Sequence, residues 1–256
     1  MTTDVKLYLL DMDGTVYIGG RPIEGAKEKI GEIRSKGKKL CFLTNNSSRT
    51  PEEYIGKLSA MGIDIGRGEI YTSSDSAIRF LNKHHKGESV YLLGTKKLAH
   101  EFAENGINLT DTNPDIVMLA YDTELTYEKL AKTVTNLATA KHYYATHSDI
   151  NCPAKPVYLP DAGSFIALIE KSTGRIPELI LGKPFSQMGE AITERFGLKP
   201  QEIAMAGDRL CTDMKFAVLN GFVSVLVLSG ETSRRDYEAS GMKVDFVLNS
   251  IKDMEV

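Results

Sequence analysis

The sequence predicts an α/β fold in which parallel strands alternate with flanking helices, and three observations point to it. Short apolar runs alternate with amphipathic helical patterns along the chain, the habit of repeated βα units. Proline, acidic and glycine signals stand where those helices should start and stop. Polar residues follow directly on several apolar runs, and ligands of open α/β sheets gather just beyond the carboxyl ends of strands.

The first strand is expected at Lys6 to Leu10. A helix follows with Ile23, Ala26, Ile30 and Ile33 on one face, and Gly37 offers the left-handed position that ends it. Leu40 to Leu43 reads as the second strand. Thr50, Pro51 and Glu53 form a capping-box start for a helix that buries Tyr54, Leu58 and Met61. A third strand is expected at Glu69 to Thr72, then a helix from about Asp75 to His85. The middle of the chain has its own alternation, with strands at Val90 to Leu93, Ile116 to Ala120 and Tyr143 to Thr146 and helices between them, and it reads as a second small α/β unit. The stretch from His147 to Pro160, holding Pro153, Pro156 and Pro160, reads as irregular. The pattern resumes at Leu179 to Gly182, with a helix through Met188, Ile192 and Phe196 and strands at Glu202 to Met205 and Val223 to Leu228.

Composition narrows the function. The 256 residues suffice for a substantial core, and 42% hydrophobic with 25% charged residues is ordinary for a globular protein. A formal net charge of -3 without a basic block argues against gripping nucleic-acid phosphates or anionic lipid. Cys41, Cys152 and Cys211 are odd in number and far apart, so neither a disulfide framework nor a paired zinc spacing is expected, and a reducing cytoplasm fits best. Met1 to Tyr8 lacks the basic start of a signal peptide, and no run approaches the ~20 apolar residues of a membrane span.

The chemistry concentrates at strand ends. Leu9-Leu10-Asp11-Met12-Asp13-Gly14-Thr15 runs an apolar strand into two acids and a glycine. Thr44-Asn45-Asn46-Ser47 follows the second strand with small polar side chains and backbone amides suited to phosphate oxygens. Lys183, in Gly182-Lys183-Pro184, could set a point charge on a phosphoryl group. Gly207-Asp208-Arg209-Leu210-Cys211-Thr212-Asp213 follows a further apolar run. Taken singly, these are a turn, a loop, a surface lysine and a helix cap. Taken together, they bring four aspartates, a lysine and a threonine to one edge of a parallel sheet. Two like charges ~4 Å apart cost ~4 kcal/mol at an effective dielectric of ~20, so such a cluster wants a cation. Oxygen ligands without a neighbouring His or Cys set favour Mg²⁺. A Rossmann glycine fingerprint is absent.

In order and context these motifs resemble those of the haloacid dehalogenase-like phosphohydrolases, and more narrowly of their NagD and p-nitrophenylphosphatase branch. The resemblance spans nearly the whole chain and implies a doubly wound, Rossmann-like parallel-sheet core at residues 1–78 and 180–256, with a smaller α/β cap inserted at 79–179. It implies Mg²⁺-dependent hydrolysis of small phosphate monoesters, such as a sugar phosphate or nucleotide, through an aspartyl-phosphate. Asp11 would be the nucleophile and Asp13 the acid and then the base. Thr44 and Lys183 would bind the transferring oxygens. The Asp11 carboxylate, the Asp13 carbonyl and Asp208 would hold the metal, with Asp213 behind them fixing waters or Lys183, and Gly14, Asn45 and Asn46 would lie around the phosphoryl group.

Val16 to Arg21, turning at Gly19-Gly20, reads as a small flap beside the nucleophile. In the cap, Thr146-His147-Ser148-Asp149 and Asp161-Ala162-Gly163-Ser164 resemble substrate-facing loops, which makes His147, Asp149, Asp161 and Ser164 candidate substrate contacts. The first departs from the commoner Thr-Asn-Pro-Asp form at His147 and Ser148, and a lone loop histidine is more often exposed. The pair His84-His85 lacks metal-ligand spacing and reads as solvated surface. A small phosphorylated metabolite is the expected partner, and both monomer and homodimer stay open. Two alternatives stand beside hydrolysis: phosphotransfer to another acceptor, and a non-catalytic module holding Mg²⁺ and a phosphorylated ligand, against which the presence of Asp13 argues.

Overall fold

The computed structural model describes residues 4–154 and 157–256. Met1 to Thr3, where the N-terminal reading begins, and Pro156 of the stretch expected to be irregular lie outside the described residues. Contacts divide the chain into two compact units, one of residues 1–44, 51–71 and 183–256 and one of 45–50 and 72–182.

In chain order the first unit begins with β1 (Leu7–Leu10), the hairpin β2 (Tyr17–Ile18) and β3 (Arg21–Pro22), and α1 (Ala26–Ser35). It continues with β4 (Lys39–Thr44), α2 (Pro51–Ala60) and β5 (Ile70–Thr72). The second unit supplies α3 (Ser73–His84), β6 (Ser89–Leu93), α4 (Lys96–Glu104), β7 (Asn108–Leu109), β8 (Ile116–Leu119), α5 (Tyr127–Leu137) and β9 (His142–Ala145). It closes with β10 (Asn151–Ala154), β11 (Val157–Pro160), α6 (Ala162–Thr173) and β12 (Leu179–Ile180). The chain returns to the first unit with α7 (Ser186–Phe196), β13 (Ile203–Gly207), α8 (Lys215–Asn220), β14 (Val223–Val227), α9 (Arg234–Ser240) and β15 (Phe246–Leu248).

The first unit's sheet runs β15-β14-β13-β1-β4-β5, the doubly wound order in which the chain leaves β1 in one direction and later returns to add strands on the other. The order reverses between β1 and β13, a parallel pair that aligns Leu10 with Ala206. Every β1 residue is buried, as a strand covered on both faces must be. Alternation along the strands feeds two cores. Tyr8, Leu10, Phe42 and Ala206 pack with Ile30 and Ile33 of α1 and Leu58 of α2. Leu7, Leu9, Leu43 and Met205 pack with Met188 and Ile192 of α7 and Phe216 of α8.

The second unit repeats the plan with the order β12-β9-β8-β6-β7. One face packs Val90, Met118 and Tyr144 against Leu81 of α3 and Phe102 of α4. The other packs Tyr91, Val117 and Tyr143 against Leu137 of α5 and Ile169 of α6. Thr72 caps α3, its hydroxyl accepting from the Asp75 amide at 3.1 Å while Asp75 accepts from the Thr72 amide at 2.8 Å.

Several expectations are corrected. The stretch from His147 to Pro160 contains an antiparallel hairpin, β10 against β11 with Asn151 opposite Pro160; its prolines had masked a strand pattern. Leu179–Ile180 pairs with β9 in the second sheet. His147 is fully buried because two partners enclose its ring, and His85 is half-buried against aromatic rings. Strands β7 and β15 and helices α8 and α9 carry too short a pattern to have been read. No helix among the described residues is long and apolar enough to cross a membrane.

Candidate active site

The site grows from the switch between β1 and β13. The Asp11 amide donates to the Ala206 carbonyl at 2.9 Å, so the strand pairing sets the Asp11 backbone one residue past the end of β1. The chain then turns at once. The Met12 carbonyl accepts from the amides of Val16 at 2.8 Å and Tyr17 at 3.1 Å, and Asp13 is left exposed on the outside of the turn. The expected flap is the β2–β3 hairpin, with Ile18 opposite Arg21 across Gly19-Gly20.

Lys183 is the electrostatic centre. Its Nζ donates to Asp11 Oδ1 and to Asp213 Oδ1, both at 2.6 Å, and approaches the Leu43 carbonyl at 3.4 Å, beside the buried Thr44 at the end of β4. Burial alone would strip its proton, but Asp11 and Asp213 hold its pKa above the usual lysine value. Asp213 is fully buried, and its Oδ2 accepts from the Arg209 amide at 3.2 Å. It stands in Leu210–Met214, a turn wound wider than an α-helix that leads into α8.

Asp208 follows β13 and is held by the opposite loop. Its Oδ2 accepts from the Glu231 amide at 2.6 Å, while Oδ1 is buried with no protein partner. Three glycines make room for these acids. A Cβ on Gly14 or Gly230 would overlap the Asp208 carboxylate, and one on Gly207 would overlap Asp213. Gly14 also has φ +88°, which a side chain would strain.

Asp11, Asp208 and Asp213 can each direct one carboxylate oxygen to a common point, these atoms lying within 4.8 Å of one another. Burial, then the charge of Asp213, raises the Asp11 pKa well above the usual carboxylate range in spite of Lys183. The same two causes push Asp208 up to about 7. One lysine does not balance three packed acids, and Asp208 Oδ1 has no donor. An oxygen-only donor set of this kind fits a hard divalent cation.

Sequence reasoning missed Ser229, Gly230 and Glu231. The Ser229 hydroxyl donates to the Gly14 carbonyl at 2.8 Å, and Glu231 and Gly230 shape the seat of Asp208. The signal was present, since these polar residues directly follow an apolar strand as the other site segments do. Gly230→Ala is expected to weaken divalent-cation affinity by about 10–100-fold, the usual loss when support behind a metal ligand is disturbed. Gly31→Ala, with nothing near its Cβ, should leave affinity unchanged. A calorimetric Mg²⁺ titration of the two variants checks both.

The candidate cap residues meet in the second unit. His147 Nε2 donates to Asp161 Oδ1 at 2.9 Å, and its Nδ1 lies 3.0 Å from Thr146 Oγ1. Asp161 also caps α6 through the Ala162 amide at 2.6 Å. Asn45 Nδ2 donates to Asp149 Oδ2 at 3.3 Å, Asn46 Oδ1 accepts from Ser48, and Ser164 donates to the Ile150 carbonyl. In this unit the side chains of Asn45 and Asn46 are thus directed toward protein partners.

Residues 8–108 match the family described as haloacid dehalogenase-like hydrolase, and residues 180–254 match one described as HAD-hydrolase-like. An acid sugar phosphatase of Staphylococcus aureus is 32% identical over 250 residues, covering 97% of this chain and 95% of the relative. The crystal structure of a 4-nitrophenylphosphatase from Thermotoga maritima is similar at 42% identity and a TM-score of 0.95, over 98% of this chain and 96% of that one. NagD from Escherichia coli K-12 is similar at 27% identity and a TM-score of 0.91, over 99% of both chains.

Proposed function

The chain belongs to the haloacid dehalogenase-like hydrolases, within their NagD and p-nitrophenylphosphatase branch, and on that footing we propose that it hydrolyses small phosphate monoesters through a phosphoryl group carried on Asp11. The observation that carries the reading is the buried lysine bridging two aspartates, Lys183 at 2.6 Å from Asp11 and from Asp213.

Lys183 occupies Asp11 Oδ1, which leaves Oδ2 to attack phosphorus. A carboxylate needs no base for this step, and covalent capture divides one difficult displacement into two. As the bond from Asp11 to phosphorus forms, the bond to the ester oxygen breaks, and the departing oxygen takes a proton from the Asp13 carboxyl. Asp13, now a carboxylate, then accepts a proton from the water that displaces phosphate from Asp11. Its exposed position suits exchange with both. Lys183 and Thr44 stabilise the transferring oxygens. Asp11, Asp208 and the Asp13 carbonyl would hold a hard divalent cation, Mg²⁺ in our reading, which when bound neutralises charge on the phosphoryl group. We assign the second unit the role of a substrate-selecting cap and the reducing cytoplasm as the place of action, which an exposed thiol at Cys211 suits.

The relatives, an acid sugar phosphatase and a 4-nitrophenylphosphatase, suggest the first substrates to try. Phosphate release from p-nitrophenyl phosphate, sugar phosphates and nucleotides is expected with Mg²⁺, is lost in EDTA and returns when Mg²⁺ is restored. Turnover indifferent to EDTA would contradict the metal assignment, and silence toward every ester by folded, Mg²⁺-binding protein would contradict hydrolysis.

A further inference from the structure

Away from the residues assigned to catalysis, the second unit gathers imidazole and carboxylate groups at the amino ends of its parallel strands. His85 directly follows α3, Glu88 immediately precedes β6, His142 opens β9 and Glu178 immediately precedes β12. Thr146 and His147 follow β9 and so lie at the opposite edge of this sheet. His85, Glu88 and His142 can each present one ligand atom such that all three lie within 4.8 Å of one another.

Each imidazole is oriented by a different partner. His142 Nδ1 is 2.9 Å from Glu178 Oε2, and Glu178 is itself fixed by accepting from the Tyr143 amide at 3.1 Å. His85 Nε2 is 3.0 Å from Tyr144 Oη, and its Nδ1 is 3.3 Å from Glu88 Oε2. The rings are held by packing as well. His142 stacks on Tyr144 at 5.5 Å and 11°, and His85 lies 5.0 Å from His142. A histidine with one nitrogen turned to a carboxylate or hydroxyl and the other toward a shared point is the arrangement that fixes tautomer and basicity in metal sites. Lys141 pairs with Asp115 at 2.8 Å, and Arg175 comes no nearer than 3.7 Å to Glu178.

We propose that His85, Glu88 and His142 form a site for a divalent transition-metal ion, Zn²⁺ by ligand chemistry, with Tyr144 and Glu178 orienting the two imidazoles. Two nitrogens and one carboxylate oxygen select a borderline ion over Mg²⁺. His142 ligates through Nε2, because Nδ1 donates to Glu178. His85 ligates on the side of Glu88, so its Nε2–H donates to Tyr144 Oη. The half-buried position leaves a fourth place for water. The ion ties the end of α3 and the start of β6 to the start of β9, and so acts as a staple on this unit.

The test is Zn²⁺ titration of the whole chain by calorimetry in excess Mg²⁺, which keeps the core acids occupied. One Zn²⁺ per chain is expected in the wild type. His142→Gln and Glu88→Gln, both at partly exposed positions, should weaken it at least tenfold, Glu178→Gln by about 10–100-fold, and Asp208→Asn not at all. Co²⁺ should give a visible absorption band that His142→Gln abolishes, with circular dichroism confirming the fold. Zn²⁺ affinity unchanged in His142→Gln and Glu88→Gln would overturn the proposal. So would a loss of Zn²⁺ binding confined to Asp208→Asn, which would put the ion among the core acids.

Discussion

Asp11→Asn is expected to fold normally and to lose turnover by about a thousandfold or more, a barrier increase of roughly 4 kcal/mol. The amide keeps the shape of the carboxylate but lacks its charge, and its neutral oxygen is too weak a nucleophile to form the bond to phosphorus. Its effect on stability should be neutral or favourable. In the native chain Asp11 is held well above the usual carboxylate range by burial and by Asp213, so its charge is a strain on the cluster that the substitution removes. Lys183 keeps Asp213 as a partner in the variant. Phosphate release and thermal unfolding measured side by side check both halves. A variant that turns over normally would remove Asp11 from the chemistry, and one that melts far below wild type would mean that its charge holds the fold.

Lys183→Met should do the opposite to stability while also abolishing turnover. Lys183 is almost wholly buried between Asp11 and Asp213, and removing one partner of a buried ion pair leaves uncompensated charge at a cost of about 3–5 kcal/mol. For a chain of this size that is a drop in melting temperature on the order of 10 °C. Mg²⁺ should recover part of it by binding the folded state. The double variant Lys183→Met with Asp11→Asn should melt above Lys183→Met alone, because the second change removes one of the stranded charges. A double variant whose change in stability equals the sum of the two single changes would show that the pair is not coupled as described.

The contrast between these variants follows from how the sequence encodes the site. Asp11, Lys183, Asp208 and Asp213 each end or closely follow an apolar run, and parallel topology brings such positions together whatever their separation along the chain. That is why the core cluster was legible. Ser229 and Gly230 obey the same rule, but a serine and a glycine carry no chemistry that draws notice until Asp208 is seen leaning on them. The second unit was less legible. His147 looks like any loop histidine, and only the return of the chain at Asp161 buries it. The hairpin Asn151–Ala154 with Val157–Pro160 was obscured by its prolines, which are tolerated at edges and defeat a pattern reading. His85, Glu88 and His142 share no spacing because their proximity comes from strand order in the second sheet, with β8 between β6 and β9.

Covalent capture on Asp11 is tested by quenching the enzyme in acid during turnover of p-nitrophenyl phosphate with Mg²⁺ and locating any phosphoryl group by peptide mass spectrometry. The phosphoryl group is expected on Asp11, and neither the adduct nor turnover should survive in Asp11→Asn. A phosphoryl group on another residue, or an Asp11→Asn variant that still releases phosphate at the wild-type rate, would contradict it.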